Sequence, residues 1–416
     1  MTPSLRFALV LPLVVACGNE HSLWQDDVVG GSRPSGAGGG AAGRSVEAGA
    51  PTMGGAGAGG TSTAGASPAG AAGQSSAGTA GAATRGKLEP EPGKTLLLVG
   101  QDTREIESYA SAFGYPGGVM LYTNVWDGLG VLAASDFGGL GESNLEHWSK
   151  SAAPLVLQVG LDLDARLDCG ECGSCRRAGH LEALASGGDR ETGMVGELAE
   201  RLKASGRPVL LRVGYEFDAE ICPGGFGKYP SEAYRQAFAR VVEIMHQRGA
   251  DNVAFVWNAW AYQARDPGAR AGVSPWQWYP GDELVDWIAL SVFPGYDAQS
   301  EQQQQDKRRQ MAQFAKLHGK PLMVGESTPR ARFAPSQGTS AWQGWYASLF
   351  DYVEENDVKA LSYINMNWEA LPAWSGHGWG DTRLQGSELA ATWSQTIGDA
   401  RWLVSNGELY ARLGRP

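Results

Sequence analysis

Two glutamates lie just beyond the ends of apolar segments of the chain. Glu216 comes shortly after PVLLRV (208–213), and Glu326 comes directly after PLMVG (321–325). An ionised carboxylate at such a position is costly without a partner, so an ion-paired structural glutamate is one interpretation of each. The other is chemical. Cleavage of a glycosidic bond needs one carboxyl to protonate the leaving oxygen and a second to attack the anomeric carbon or activate water. We therefore predict a paired-carboxyl site.

The two glutamates fall at regular positions in a repeating pattern of elements. Segments rich in Val, Leu and Ile, typical of parallel strands buried on both faces, occur at 95–100, 117–122, 154–159, 208–213, 252–257, 285–291, 321–325 and 359–364. Amphipathic segments lie between them, which predicts a (β/α)8 TIM barrel as a single catalytic domain over 94–416. An open doubly wound sheet is the alternative, but 100–106 lacks a glycine-rich phosphate loop. The ends of strands four and seven face each other across a barrel mouth.

The segments around both glutamates carry a specific resemblance. RPVLLRVGYEFD (207–218), NVAFVWNAW (252–260) and KPLMVGES (320–327) are similar to the corresponding segments of glycoside hydrolase family 26, in clan A, and the likeness covers about 94–416. The resemblance implies a retaining endo-β-glycanase acting on β-mannan, β-1,3-xylan or a related β-glycan. Glu216 would be the acid/base and Glu326 the nucleophile. Trp368 would form the floor under the cleaved sugar, and Tyr296 would hydrogen-bond the nucleophile.

Two departures from that family's pattern leave the sugar open. Its mannanases usually have His directly before the acid/base, where this chain has Tyr215, and a Trp-rich stretch shortly after it, where this chain has AEICPGGFG (219–227). Both positions shape sugar subsites. Mannan is therefore not singled out among β-glycans.

Further polar and aromatic residues lie at or near strand ends. Arg212 lies within strand four, where we expect it to orient a catalytic carboxylate, and Asp218 is the alternative to Glu216. The other candidates for binding sugar are Tyr215, Gln101, Asp102, Asp162, Asn258, Trp260 and Asp381. Capping of a loop is the alternative for five of them: Gln101, Asp102, Asp162, Asn258 and Trp260.

Four cysteines fall in two predicted loops. Cys169, Cys172 and Cys175 follow strand three, and Cys222 follows Glu216. The spacing suits either two disulfides or a tetrahedral zinc site, and export favours disulfides, one of them joining the strand-three loop to Cys222. We expect no metal and no cofactor.

The N-terminal segments predict export. Residues 1–17 have a charged start, a short apolar stretch and VVAC (14–17), which resembles a bacterial lipobox with Cys17 as the acylated residue. An ordinary signal peptide leading to secretion is the alternative. Residues 18–93 are rich in Gly, Ala and Ser and predict a flexible linker. We expect a lipid anchor in the cell envelope, at the outer membrane.

Charge and composition limit the partners. The net charge of −11 repels phosphate backbones, so nucleic acid is an unsuitable partner, whereas a neutral polysaccharide fits. We expect a monomer. Two further hypotheses remain: a non-catalytic glycan-binding lipoprotein that keeps the barrel, and a lyase, which would need basic residues at the strand ends.

Overall fold

A closed barrel of eight parallel strands forms the centre of the molecule. A computed structural model describes residues 85–126, 144–168, 176–219, 228–260, 275–295, 298–371 and 374–415. The barrel strands are β1 (Thr95–Gly100), β2 (Gly118–Asn124), β3 (Val156–Asp162), β4 (Val209–Val213), β5 (Val253–Ala259), β6 (Trp287–Val292), β7 (Leu322–Ser327) and β8 (Ala360–Ile364). Each strand pairs with the next, and β8 closes on β1 from Leu96↔Ala360 to Gly100↔Ile364. The predicted strands and the (β/α)8 barrel are confirmed.

Helices connect the strands on the outside. They are α1 (Thr103–Phe113), α2 (Asn144–Lys150), α3 (His180–Ala185), α4 (Asp189–Ala204), α5 (Ser231–Gln247), α6 (Ala298–Leu317), α7 (Ala347–Glu355), α8 (Ala390–Ile397) and α9 (Leu409–Arg412). Shorter helical turns are Pro275–Trp278, Ala331–Phe333, Pro335–Gln337, Thr339–Ala341, the π-helical Trp342–Tyr346 and Trp368–Ala370. Arg166–Asp168 pairs antiparallel with Arg176–Arg177, and Trp402–Leu403 pairs with β1. Within the described ranges, no helix has the length and apolarity needed to cross a membrane.

Alternate residues of each strand belong to two separate cores. One side packs against the helices, as Leu211 and Val213 do, and the other side faces the barrel lumen. The lumen near the N-terminal strand ends is apolar, with Leu96, Val156 and Met323. Nearer the mouth it becomes polar, and the buried residues there are Gln158, Arg212, Asn258, Ser291 and Ser362. The lumen therefore carries polar groups only in the half that leads to the predicted site.

The folded unit begins before the predicted boundary at residue 94. Leu88 is buried in the luminal core, and the Trp287 indole donates a hydrogen bond of 2.8 Å to the Lys87 carbonyl. Arg85 also donates to the carbonyl of Arg412 at 2.9 Å. Residues 85–93, assigned to the linker from composition, therefore pack on the barrel.

Candidate active site

A β-bulge in β7 sets the direction of Glu326. Leu290 pairs with Val324, but the next residue, Ser291, pairs with Glu326, so Gly325 is the extra residue between the two pairs. Met323 faces the lumen, and strict alternation would turn Gly325 inward and Glu326 outward. The bulge instead puts Glu326 on the same side as Ser291, facing the barrel mouth.

Glycine is required at the bulge because another strand approaches closely. A Cβ on Gly325 would lie 1.9 Å from Oδ1 of Asn258. That amide oxygen accepts a hydrogen bond of 3.2 Å from Nη1 of Arg212, and the same nitrogen donates to Oε1 of Glu326 at 2.6 Å. The absence of a side chain at 325 thus admits the group that helps to hold Arg212 against Glu326.

Arg212 is fully buried beneath the Glu326 carboxylate. Burial, the largest single effect, lowers the pKa of this guanidinium, but Glu326 together with the neighbouring Tyr122 and Tyr215 raises it by more, so the pKa of Arg212 is raised overall. A charge-assisted hydrogen bond from a guanidinium is short and directional, so it fixes the orientation of the carboxylate that accepts it. Glu326 is therefore held in the fixed orientation that a nucleophile needs.

Glu216 lies in a strained turn after β4. Its φ of 54° is in the left-handed region, which costs a residue with a side chain about 1–3 kcal/mol. Its backbone N–H donates to the carbonyl of Asn258 at 2.8 Å, and its Oε1 accepts a hydrogen bond of 2.6 Å from the Ser291 hydroxyl. The first contact comes from β5 and holds the backbone of the turn, and the second comes from β6 and holds the carboxyl group.

The environment of Glu216 favours its protonated form. Burial raises the pKa of this carboxyl well above its ordinary value, and the negative charge of Glu326 raises it further. The Ser291 hydrogen bond and the charges of Arg212 and Lys228 oppose these effects without reversing them. The site thus holds one carboxyl whose pKa is raised and one that is ion-paired, which is the division that general-acid and nucleophilic chemistry needs.

Tyr215 lies between two cations beside this pair. Its ring centroid is 4.9 Å from Cζ of Arg212 and 4.4 Å from Nζ of Lys228. Tyr122 packs edge-on against it, with 5.5 Å between centroids. The position that is usually His in family 26 mannanases is therefore filled here by a half-buried ring in contact with positive charge.

An aromatic wall lies at the barrel mouth, where Trp260, Phe293 and Trp368 follow the C-terminal ends of β5, β6 and β8. We use this name for Trp260, Phe293, Trp368, Trp374 and Trp379. Trp368 follows β8, and its ring centroid is 5.3 Å from that of Trp374 and 5.9 Å from that of Trp379. The ring centroids of Phe293 and Trp260 are 5.0 Å apart. The Trp368 indole N–H makes no hydrogen bond to the described residues. Phe293, Trp368 and Trp379 are buried within this wall, and Trp260 and Trp374 are partly buried against them.

Two curated relatives share most of the chain. A β-1,3-xylanase from a Vibrio species is 29% identical over 355 residues, covering 79% of this chain and 70% of that protein. A β-1,3-xylanase from an Alcaligenes species is also 29% identical over 355 residues, covering 79% and 68%. No family model matches the chain.

Solved structures of family 26 enzymes share the fold. A glycoside hydrolase family 26 β-mannanase from Bacteroides ovatus superposes with a TM-score of 0.55 at 14% identity, covering 76% of this chain and 92% of that chain. A modular endo-β-1,4-mannanase from Cellulomonas fimi superposes with a TM-score of 0.53 at 15% identity, covering 77% of this chain and 78% of that chain. The chain is a glycoside hydrolase with the fold of the family 26 enzymes.

Several residues predicted to bind sugar have internal partners in this hydrolase. Asp102 caps α1 and accepts from the N–H of Arg104 at 2.8 Å, and the exposed Asp381 pairs with Arg383 at 2.7 Å. Asp162 pairs with Lys228 at 2.9 Å. The contact of Asp102 fits the capping alternative considered from the sequence, and the ion pairs of Asp162 and Asp381 are partners that the sequence did not indicate.

The remaining candidates divide between the site and its surroundings. Asn258 is buried and acts through Arg212 and Glu216, and Trp260 belongs to the aromatic wall. Gln101 is half-buried at the end of β1. Asp218, the alternative to Glu216, is fully buried and accepts a hydrogen bond from the backbone of Trp260, so it supports a loop.

Some predictions fall on residues outside the described ranges. They concern Tyr296, Cys17, Cys169, Cys172, Cys175 and Cys222. In the part of the hydrolase that the structure describes, no three His, Cys, Asp or Glu side chains gather as a metal site would require.

The sequence interpretation missed three residues of the hydrolase site. Ser291 binds Glu216, Lys228 faces Tyr215, and Tyr122 packs on both Arg212 and Tyr215. Ser291 and Tyr122 lie at the alternate positions of their strands that face the lumen, so the alternation of side chains could have indicated both. Lys228 lies in a loop and had no such signal.

Proposed function

We propose that the chain cleaves β-linked polysaccharide by a retaining double displacement. Glu216 gives its proton to the glycosidic oxygen while a Glu326 oxygen attacks the anomeric carbon, so the bond to the leaving sugar breaks and a glycosyl ester forms. Water then attacks the anomeric carbon, Glu216 accepts its proton, and the bond to Glu326 breaks. The observation that carries this proposal is the asymmetry of the two carboxyls: Glu326 is ion-paired with Arg212, while the pKa of Glu216 is raised.

We propose β-1,3-xylan as the substrate ahead of β-mannan. Support comes from the two relatives, which are β-1,3-xylanases and align over 79% of this chain. The mannanase structures are too distant in sequence, at 14–15% identity, to argue for mannan. The presence of Tyr215 where mannanases usually have His agrees with this order.

The test is reducing-sugar release from a panel of polysaccharides by the full chain. We expect release from β-1,3-xylan, less or none from β-1,4-mannan, β-1,4-xylan and β-1,3-glucan, and loss of release in both Glu216→Ala and Glu326→Ala. Glu197→Ala is the matched control, because Glu197 is an exposed helical glutamate paired only with Arg201. Undiminished release in either site variant would remove that residue from the mechanism. Binding of β-1,3-xylan without any product would favour the glycan-binding lipoprotein instead.

We also propose a cellular location and an oligomeric state for the protein. Residues 1–17 direct export, Cys17 is acylated, and the Gly-rich linker holds a monomeric catalytic domain away from the outer membrane. The support is the sequence pattern alone. Incorporation of labelled palmitate into the expressed chain, and its loss in Cys17→Ser, tests the anchor; equal labelling of both would contradict it.

The four remaining cysteines are proposed to form two disulfides. Their support is the CGECGSC segment (169–175) together with Cys222 in an exported chain. Under denaturing conditions, we expect alkylation of these four thiols only after reduction. Alkylation without a reductant, after chelation, would instead indicate zinc.

A further inference from the structure

Gln158 connects three barrel strands inside the lumen. It lies on β3 and is fully buried. Its Nε2 donates a hydrogen bond of 2.7 Å to the carbonyl of Gly325 on β7, and its Oε1 accepts one from the Ser362 hydroxyl on β8. The amide therefore crosses the lumen, since β7 and β8 are not neighbours of β3 in the sheet.

The Gly325 carbonyl needs this partner because of the bulge. It belongs to the peptide bond that joins Gly325 to Glu326. In the pairing of β7 with β6, the paired residues of β7 pass from Val324 directly to Glu326. The pairing of β7 with β8 ends at Val324, which is opposite Leu361. Gly325 is therefore paired with neither strand. A buried carbonyl left without a donor costs about 1–3 kcal/mol. The side chain of Gln158 supplies that donor.

We propose that Gln158 is a positioning residue for the nucleophile, an inference that rests on the proposed function. Arg212 holds the carboxylate end of Glu326, and Gln158 holds the peptide plane from which the Glu326 side chain departs. With both ends fixed, the carboxylate keeps one direction towards the anomeric carbon. An apolar side chain at position 158, of the kind that Val156 and Met323 place elsewhere in the lumen, would fill the same space. It would not hydrogen-bond to that peptide and so would not fix its plane.

The most direct variant is Gln158→Met, which keeps the length of the side chain but removes the amide. The bulged peptide then loses its donor and the Glu326 carboxylate shifts. Because a displacement of about 1 Å can lower a rate about 100-fold, we expect attack by Glu326 to slow by about 10-fold or more. Ser362→Ala is the matched control: it removes the other hydrogen bond of Gln158 and leaves the contact with Gly325 in place.

The probe is 2,4-dinitrophenyl 2-deoxy-2-fluoro-β-1,3-xylobioside, and the measurement is the rate of covalent labelling of Glu326 by mass spectrometry. Dinitrophenolate leaves without a proton, so the labelling rate reports attack by Glu326 and not proton donation by Glu216. We expect the limiting rate to fall in Gln158→Met with the half-saturating concentration unchanged, and to stay near wild type in Ser362→Ala.

The labelled fraction separates positioning from folding. A residue that only supports the fold would lower the fraction of protein labelled while the folded part reacts at the wild-type rate, and that result would overturn the inference. If Gln158→Met does not fold, Gln158→Asn replaces it, because its amide is one methylene too short to reach Gly325; it should show the same slower rate. Wild-type protein that is never labelled at Glu326 would overturn the proposed function, and the inference with it. Normal labelling of the wild type and an equal rate in the variant would overturn the inference alone.

Discussion

Arg212 on β4 reaches across the barrel lumen and places Nη1 2.6 Å from Oε1 of Glu326 on β7. Both residues are nearly or fully buried, so the pair has little water to screen it. The same guanidinium lies under the rings of Tyr122 and Tyr215, at 5.2 and 4.9 Å. One arginine therefore organises the nucleophile and the two tyrosines next to it.

Replacement of this arginine should affect both stability and rate. Arg212→Met leaves Glu326 buried without its cation, and breaking a buried pair in this way typically costs about 3–5 kcal/mol in the free energy of unfolding. Displacement of the carboxylate should lower kcat/KM by about 100-fold. Urea unfolding and initial rates on β-1,3-xylan measure the two effects. Arg201→Met is the control, because the exposed Arg201–Glu197 pair should be worth less than about 1 kcal/mol. Wild-type activity in Arg212→Met would contradict this account of the site.

Removal of the Ser291 hydroxyl should move the pH profile. Its hydrogen bond to Glu216 stabilises the ionised carboxylate and so lowers the pKa of Glu216. Ser291→Ala should therefore raise that pKa, and the alkaline limb of kcat/KM, which reports loss of the proton donor, should move to higher pH. The control is Ser111→Ala, a helical serine that bonds only its own helix backbone. A shift towards lower pH would show that the hydroxyl acts on Glu216 in another way.

Glu216 should also reduce stability at higher pH. A carboxyl whose folded pKa is raised above its ordinary 4.5 binds more protons in the folded than in the unfolded chain. Its contribution to stability is then complete below the ordinary pKa and is lost as pH rises through the folded pKa. Glu216→Gln cannot ionise, so its Tm should match wild type at low pH and exceed it increasingly across that window. Calorimetry over a pH series measures this difference, with the exposed Glu197→Gln as control. A Tm difference that shrinks with rising pH would mean that the pKa of Glu216 is lowered instead.

The barrel strands could be predicted because each is a continuous apolar run buried on both faces. The placement of Glu216 and Glu326 at the ends of strands four and seven followed from those runs, and so did the expectation that Arg212 orients a carboxylate, which agrees with its contact to Glu326. Each of these inferences depends on the sequence of a single strand and not on how two strands pair.

The bulge at Gly325 could not be predicted, because it is a property of the pairing between β6 and β7 and not of either strand. Alternation along β7 alone would have turned Glu326 away from the lumen. The partners of Asp102 and Asp381 were also uncertain, because a carboxylate at a strand end can cap a helix or pair with a neighbouring arginine as readily as it binds a sugar.

The bulge makes its own prediction through Gly325. In Gly325→Ala the new Cβ meets Oδ1 of Asn258 at 1.9 Å, so either the bulge or Asn258 must move. Overpacking of this kind typically costs about 1–3 kcal/mol, and the movement should also lower kcat because Asn258 holds Arg212. Gly193→Ala is the matched control: Gly193 lies in α4 with nothing within 4 Å of the added carbon. There we expect stability to rise by about 0.5–1 kcal/mol with activity unchanged. Equal behaviour of the two variants in thermal unfolding and rate would contradict the role given to the bulge.

The most direct test of the central claim is the product that Glu326→Ala forms with azide. With 2,4-dinitrophenyl β-1,3-xylobioside, the variant should be nearly inactive alone and regain turnover when azide is added, because azide enters the space left by the carboxylate and attacks the anomeric carbon from the same side. Proton NMR should identify an α-glycosyl azide, of inverted configuration. Glu216→Ala should instead give a β-glycosyl azide, formed by attack on the intermediate held by Glu326. A β-azide from Glu326→Ala, or no adduct while the wild type hydrolyses with inversion, would contradict Glu326 as the nucleophile of a retaining mechanism.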